Sequence, residues 1–194
     1  MKSLPTYISI LLLTLLVGCA SSNARKSPEN LKAYEDLKQL VNSKHFNINS
    51  RRALPAATLA MTAIQNANLL APGNNAGSID ITGNQNFLRV EGDSVFAFLP
   101  FFGEQRIGGS YPGNTHIGIE FKGIPKNYEL EFDDDKLKTQ IKFSINDQYR
   151  HQESYDVYIN VFAGRTSDVR VLSSTRSSMA YQGTIEPIDK NKKP

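Results

Sequence analysis

Apolar residues recur at every second position in run after run between Tyr128 and Ile185, and this alternation constrains the fold more than any other feature of the chain. Tyr128, Leu130 and Phe132 alternate with Asn127, Glu129 and Glu131. Leu137, Thr139, Ile141, Phe143 and Ile145 alternate with Lys138, Gln140, Lys142 and Ser144. Tyr155, Val157, Ile159 and Val161 make a further inward face, Val169 to Ser173 follows Gly164-Arg165-Thr166-Ser167, and Met179, Tyr181 and Ile185 close the pattern. A period of two puts successive side chains on opposite faces of a strand. Each run therefore has one apolar and one polar face. Asp133-Asp134-Asp135-Lys136 joins the first two runs as a hairpin loop, and strands so joined pair antiparallel, with one face on a core.

The pattern begins earlier, at Ile79. Leu88 to Phe96 reads as two strands around Gly92-Asp93, a turn pair. Pro100, which has no amide hydrogen, should end a strand or sit on an edge. Upstream the period changes. Ser27-Pro28-Glu29 carries an N-cap, a proline at the first helical position and an acid in the first turn. Leu31, Tyr34, Leu37, Leu40 and Val41 form a stripe opposite Lys32, Glu35, Asp36, Lys38 and Gln39. This predicts a helix from 28 to 44 whose stripe packs on the sheet. Phe46-Asn47-Ile48-Asn49 reads as a short strand. Residues 53–72 mix a helical spacing (Ala60, Ala63, Ile64, Ala67) with Thr58, Thr62 and bounding prolines, and residues 73–78 read as a loop. The predicted fold is mainly β: some nine to ten strands in an antiparallel β-barrel or two-layer β-sandwich, with one N-terminal helix.

The N-terminus carries an address. Lys2 precedes the apolar run Ile8 to Val17, ten residues in which only Ser9 and Thr14 are polar. Such a run rises only ~15 Å as a helix, about half a bilayer core. A basic start, a short apolar core and small residues at the cut describe a secretory signal. Leu16-Val17-Gly18-Cys19 resembles the lipobox of bacterial lipoproteins, which implies acylation of Cys19 and cleavage before it. One acyl chain anchors only marginally at ~0.8 kcal/mol per methylene, whereas three hold a protein on the membrane. Residues 1–18 are then the signal peptide, 19–27 a flexible tether, 28–188 one β-rich domain and 189–194 a charged tail. No Asp follows Cys19 and no acidic run follows it, so the resemblance implies the periplasmic face of the outer membrane.

Cleavage of residues 1–18 leaves 176 of 194 residues, enough for one domain with a core of its own, and lowers the net charge from +3 to +2. A near-neutral chain offers nothing for nucleic acid. With Cys19 the single cysteine, no disulfide can form within the mature domain.

The chemistry-bearing residues are sparse. His45, His116 and His151 lie far apart with no metal-ligand spacing, so no metal or cofactor is predicted. Asp133-Asp134-Asp135 lacks the spacing of a calcium loop and reads as a solvated turn. Gly108-Gly109-Ser110-Tyr111-Pro112-Gly113 fails the nucleophile-elbow spacing and reads as a glycine-rich loop that can border a site. A hydrolase built on Ser110, His116 and an Asp ranks lowest. Phe98-Leu99-Pro100-Phe101-Phe102-Gly103 is the most unusual stretch. Its large apolar side chains are core or the wall of an apolar pocket. Phe98, Pro100, Phe101, Phe102 and Tyr111 are accordingly the candidate ligand-binding residues, and Cys19 the lipid attachment site.

Several of these segments occur together in one family. A helix ending Leu40-Val41-Asn42-Ser43-Lys44-His45-Phe46, then Gly92-Asp93-Ser94-Val95, Leu99-Pro100-Phe101-Phe102-Gly103, Gly118-Ile119-Glu120-Phe121 and Tyr181-Gln182-Gly183 resemble the domain of unknown function 4251 of Gram-negative lipoproteins, over residues 29–186. The family commonly has Tyr in place of Phe101, and a shorter connection than residues 53–77. The resemblance implies a β-rich lipoprotein domain and no particular activity, cofactor or catalytic residue. The chain is therefore expected to be a non-enzymatic envelope lipoprotein that is anchored in the membrane by lipid and binds an apolar small molecule or an envelope protein. The alternative is a periplasmic interaction or assembly module without a small ligand.

Overall fold

The computed structural model describes residues 26–106, 117–150 and 152–188. The signal peptide, Cys19, tether residues 20–25, the Gly108 to Gly113 loop with Ser110 and Tyr111, His116, His151 and the tail 189–194 lie outside the described residues.

Helix α1 (Pro28–Asn42) starts as its sequence dictates: Ser27 Oγ accepts the Asn30 N–H at 3.3 Å, Pro28 opens the helix and Glu29 sits in the first turn. It stops at Asn42, before the expected residue 44, because Lys44 takes a left-handed conformation (φ 51°) that turns the chain into β1 (His45–Pro55). Tyr34, Leu37 and Val41 are buried, but Leu31, placed in the apolar stripe, is 43% exposed. The helix spans one end of the sheet instead of lying along a face, so fewer of its turns meet apolar surface. Its first half reaches the β6–β7 hairpin, where the Tyr34 hydroxyl donates to the Lys138 carbonyl at 3.2 Å. Its C-terminus leads to Lys44, beside the β3–β4 turn.

The remaining elements are α2 (Leu59–Asn66), β2 (Ile79–Asp80), β3 (Phe87–Glu91), β4 (Ser94–Leu99), β5 (Ile119–Gly123), β6 (Lys126–Asp133), β7 (Lys138–Asn146), β8 (Ser154–Phe162), β9 (Thr166–Ser173) and β10 (Met179–Pro187). The ambiguous stretch contains a second short helix, α2, capped by Thr58 Oγ1 on the Met61 N–H at 3.2 Å, beside the single N-terminal helix that was expected. Its signal was weak because eight residues bury only Met61. Strand β1 runs well past Asn49. Ser50 pairs with Gly183 and Arg52 with Gln182, which leaves Arg51 as a bulge. The bulge moves the buried set from Phe46, Ile48 and Ser50 to Ala53 and Pro55, and so breaks the alternation. Gly183 is required opposite it. A Cβ there would overlap the Asn49 carbonyl and lie 2.7 Å from Ser50 Cα.

The strands form one antiparallel sheet in the order β5-β4-β3-β1-β10-β9-β8-β7-β6, with β2 paired on β1. It is a single sheet curled into a half-barrel, and not two packed layers. Apart from β2, chain neighbours are sheet neighbours and β1 pairs with β10, as in an up-and-down barrel. The exception is β5 and β6. They occupy the two edges of the sheet, although only Ile124-Pro125 separates them. Each pairing reverses direction, so β5 and β6 run the same way: together they read as one strand, kinked at Gly123 (φ 146°), whose upper part pairs with β4 and lower part with β7. Curling brings the inner faces of β5 and β7 together, with Phe121 6.0 Å from Phe143 and the Gln148 N–H donating to the Glu120 carbonyl at 2.8 Å. The core is the inside of this curl, filled by Phe46, Leu88, Phe121, Phe143, Tyr155 and Tyr181 with the aliphatic residues between them.

Candidate functional site

Two places on this frame bring polar groups together with apolar surface. The first is the end of the half-barrel opposite α1, where the loops after β4, β7 and β9 meet. Arg176, 3% exposed, lies at its centre. Its Nε donates to Glu153 Oε1 at 2.7 Å, Nη1 to the carbonyls of Ile117 and Gly118 at 3.0 and 3.1 Å, and Nη2 to the Tyr155 hydroxyl at 2.5 Å. Tyr155 in turn donates to Asp147 Oδ2 at 2.5 Å. Asp147 Oδ1 accepts the N–H groups of Tyr149 and Arg150, so this carboxylate also fixes its own turn. Ser173 and Arg150 complete the bonding of Glu153.

Buried Arg176 and half-buried Arg150 face two buried carboxylates, Asp147 and Glu153, so the cluster as a whole is balanced in charge. Burial alone would raise the Glu153 carboxyl, but hydrogen bonds from Ser173 and Arg176 and the Arg176 charge hold it below its ordinary value. Burial raises the Tyr155 phenol against the opposing Arg176 charge, and Asp147, which accepts its proton, raises it further.

The aromatic motif surrounds this cluster. Leu99 is buried and ends β4, and the Pro100 carbonyl accepts the Tyr181 hydroxyl at 2.7 Å. The Phe101 ring lies 4.5 Å from the Arg176 guanidinium carbon, a cation–π contact. Phe102 is half-buried against the core; the Ser177 N–H donates to the Glu104 carbonyl at 2.9 Å, and the Glu104 N–H donates to Ser177 Oγ at 3.0 Å. Phe98 is elsewhere. It faces outward on β4 opposite Phe87, 40% exposed. Pro100, Phe101 and Phe102 therefore come together at the loop end, Phe98 does not join them, and Tyr111 and Cys19 lie outside the described residues.

The second place is the seam at the kink between β5 and β6. Where β5 leaves β4, a cleft of about 240 Å³ opens, walled by Val90, Val95, Ile124, Pro125 and Tyr128 and rimmed by Lys44 and Asp93. Val90 and Val95 are core residues, whereas Ile124 is 76% exposed, so the cleft runs from the surface to the interior. The Tyr128 ring stacks on Phe143 with centroids 6.1 Å apart, and Lys44 Nζ lies over the Tyr128 ring, 5.6 Å from its centroid. Lys44 also donates to Asp93 at 2.8 Å, which lowers the Asp93 carboxyl. A larger depression of about 770 Å³ lies on the polar face of β6 to β10, where Leu54, Tyr158 and Leu172 sit among Glu129, Lys142 and Arg170.

Sequence reasoning missed the Asp147, Glu153 and Arg176 cluster. One signal was available: Tyr155 falls on an inward position, and a buried tyrosine hydroxyl needs a partner. Of the histidines, His45 alone is described; it is exposed and bonds the Ser43 carbonyl. Among the described residues no group of three His, Cys, Asp or Glu could hold a metal ion. The triple aspartate is a hairpin tip. Asp135 and Asp134 pair with Lys26 and Lys38 at the surface.

No curated protein matches the chain. The fold is similar to that of a DUF4251 family protein from Bacteroides eggerthii DSM 20697, known from a crystal structure, with a TM-score of 0.52, 16% identity and coverage of 81% of this chain and 89% of that one. The sequence pattern described as Domain of unknown function (DUF4251) matches residues 29–185, most of the described chain. The half-barrel and the segments that build its loop end are thus those of the DUF4251 family, to which this chain belongs.

Proposed function

We propose that the mature chain is a non-catalytic lipoprotein of the cell envelope, held on the periplasmic face of the outer membrane by acylated Cys19, whose β domain binds a small apolar molecule at the seam. The cleft carries this reading. It joins solvent to the core through apolar walls, at the one break in an otherwise regular strand order. The loop-end cluster supports binding over chemistry, because its charged groups are nearly sealed from solvent and bonded to one another. Anchoring rests on the lipobox-like Leu16-Val17-Gly18-Cys19. Labelled palmitate should enter the wild-type chain and not Cys19→Ala, and organic extraction of the purified protein should release one bound apolar species. Label in both chains would refute the anchor; an empty extract, with no uptake of added apolar probes, would refute the binding role.

A second reading is an interaction module that docks a partner protein on the polar face. Leu54, Tyr158 and Leu172 within a charged surface favour it. A photo-crosslinker at position 172 should then capture one discrete envelope protein in cells, while a crosslinker on the β6–β7 hairpin should not.

A further inference from the structure

Over most of the sheet the strands turn polar side chains outward, as Glu129, Gln140, Lys142, Asn160 and Asp168 do on β6 to β9. The outward face of β3, β4 and β5 differs. Leu88, Val90, Val95, Ala97 and Phe121 are buried in the core, so alternation turns Phe87, Phe96 and Phe98 outward. Register sets them side by side in two rows, Phe87–Phe98–Glu120 and Arg89–Phe96–Lys122. Residues directly opposite on neighbouring strands stand about 5 Å apart at Cβ, so the three phenylalanines make one patch. Phe98 is 40% exposed. Phe87 and Phe96 are half-buried under cations: the Arg89 guanidinium carbon lies 5.5 Å from the centre of the Phe87 ring, and Lys122 Nζ 5.7 Å from that of Phe96. Arg89 pairs with Glu91 at 3.3 Å and Glu120 stands beside Phe98, so two cations and two carboxylates leave the patch without net charge. The phenylalanines wall neither the seam cleft nor the depression on β6 to β10, so they offer a surface and not a pocket.

Resting on the reading of Cys19 as a lipid anchor, we propose that this face lies on the chain's own membrane, with Phe87, Phe96 and Phe98 in the head-group boundary of the bilayer and the charged ends of Arg89 and Lys122 at the lipid phosphates. Rings crossed by long cationic side chains suit that boundary: the rings enter its apolar edge while the charged ends stay in its polar layer. Zero net charge matches zwitterionic head groups. Residues 19–25, the seven between the anchor and the first described residue, span at most ~24 Å, less than one domain diameter. The patch therefore meets the bilayer at the high local concentration that a short linker imposes. Contacts too weak to recruit a free protein are then enough to orient a tethered one.

The chain has no Trp, so Phe98→Trp places a single one on the patch, and Leu172→Trp a single one at a similarly exposed position on the polar face. The full acylated chain is reconstituted in phosphatidylcholine vesicles whose acyl chains carry bromine, which quenches tryptophan by depth. Phe98→Trp should be blue-shifted and quenched, and Leu172→Trp neither. Adding Phe87→Thr, which keeps a strand-forming residue, should lower the ratio of seated to free patch about fivefold, the worth of roughly half a phenylalanine leaving water. Raising salt from about 0.1 to about 1 M should leave the quenching in place, because apolar insertion is not screened. If the chain sediments with the vesicles but Phe98→Trp is quenched no more than Leu172→Trp, or its quenching is lost in salt, the proposal is overturned and the anchor stands. This comparison decides even if Phe87→Thr does not fold. A chain that carries no lipid and stays out of the vesicle pellet would overturn the anchor and the proposal together.

Discussion

The two ends of the half-barrel are closed by opposite means. At one end α1 lays Tyr34, Leu37 and Val41 on the core, and its surface ion pairs are exposed. At the other, three loops meet around Arg176, and nearly every contact is a directed bond between buried charged or polar groups. Apolar burial is non-directional and proportional to area, so the helix end tolerates adjustment. A buried ion cluster is demanding. Whole, it balances its own desolvation; with one member removed, it leaves a charge stranded. The helix end is therefore held by shape and the loop end by connectivity.

The loop end should show the larger effect. Arg176→Met should cost ~3–5 kcal/mol in urea unfolding, because Glu153 and Asp147 lose their shared cation. Leu37→Ala, at a fully buried position of α1, should cost ~2–5 kcal/mol with the loop end intact. A loss at Arg176 no larger than that of an average surface change would mean that connectivity contributes little. Acid should separate the ends further. The Glu153 carboxyl lies below its ordinary 4.5 in the folded chain, so the unfolded chain binds that proton first. The stability it contributes is complete above that value and is lost as pH falls through the lowered folded value. Glu153→Gln should flatten the acid limb of a stability–pH curve, whereas Leu37→Ala should shift the curve without changing its slope.

The smallest effect tests the interior between the ends. Ser50, Gly183, Ser167, Val161 and Thr139 follow one another across the sheet, and the Ser50, Ser167 and Thr139 hydroxyls are buried without a partner among the described residues. Thr139→Val, nearly isosteric, should raise stability by ~1 kcal/mol. A lower Tm would show that this hydroxyl is satisfied in the folded protein.

The helix end was legible in the sequence, and the loop end was not. Ser27-Pro28-Glu29 and the spacing of Tyr34, Leu37 and Val41 are local signals, and local periodicity also exposed strands β7 to β10. Leu31 was misplaced because spacing alone cannot say how far a helix overhangs its core. Strand β1 was cut short because the bulge at Arg51 reverses the alternation within one strand. The cluster was invisible for a different reason. Asp147 and Glu153 stand at the two ends of the β7–β8 loop and Arg176 in the β9–β10 loop, and only the pairing of β7, β8 and β9 brings them together. Pro100 was correctly read as a strand end; the partners of Phe101 and of the Pro100 carbonyl, Arg176 and Tyr181, lie far along the chain.

The pairing of β1 with β10 has a consequence for how the chain is made. The first strand of the sheet has its main partner in the last one, so the sheet's longest contact waits for the end of synthesis. Until Met179 to Pro187 is available, β1 presents a long unpaired edge that can associate with other chains. Contacts this distant in sequence make folding slow, because the intervening loop must close before the pairing is rewarded. A ribosome-bound or truncated chain that stops before β10 should remain open to proteases, and adding the last strand should convert it to a resistant form in one step.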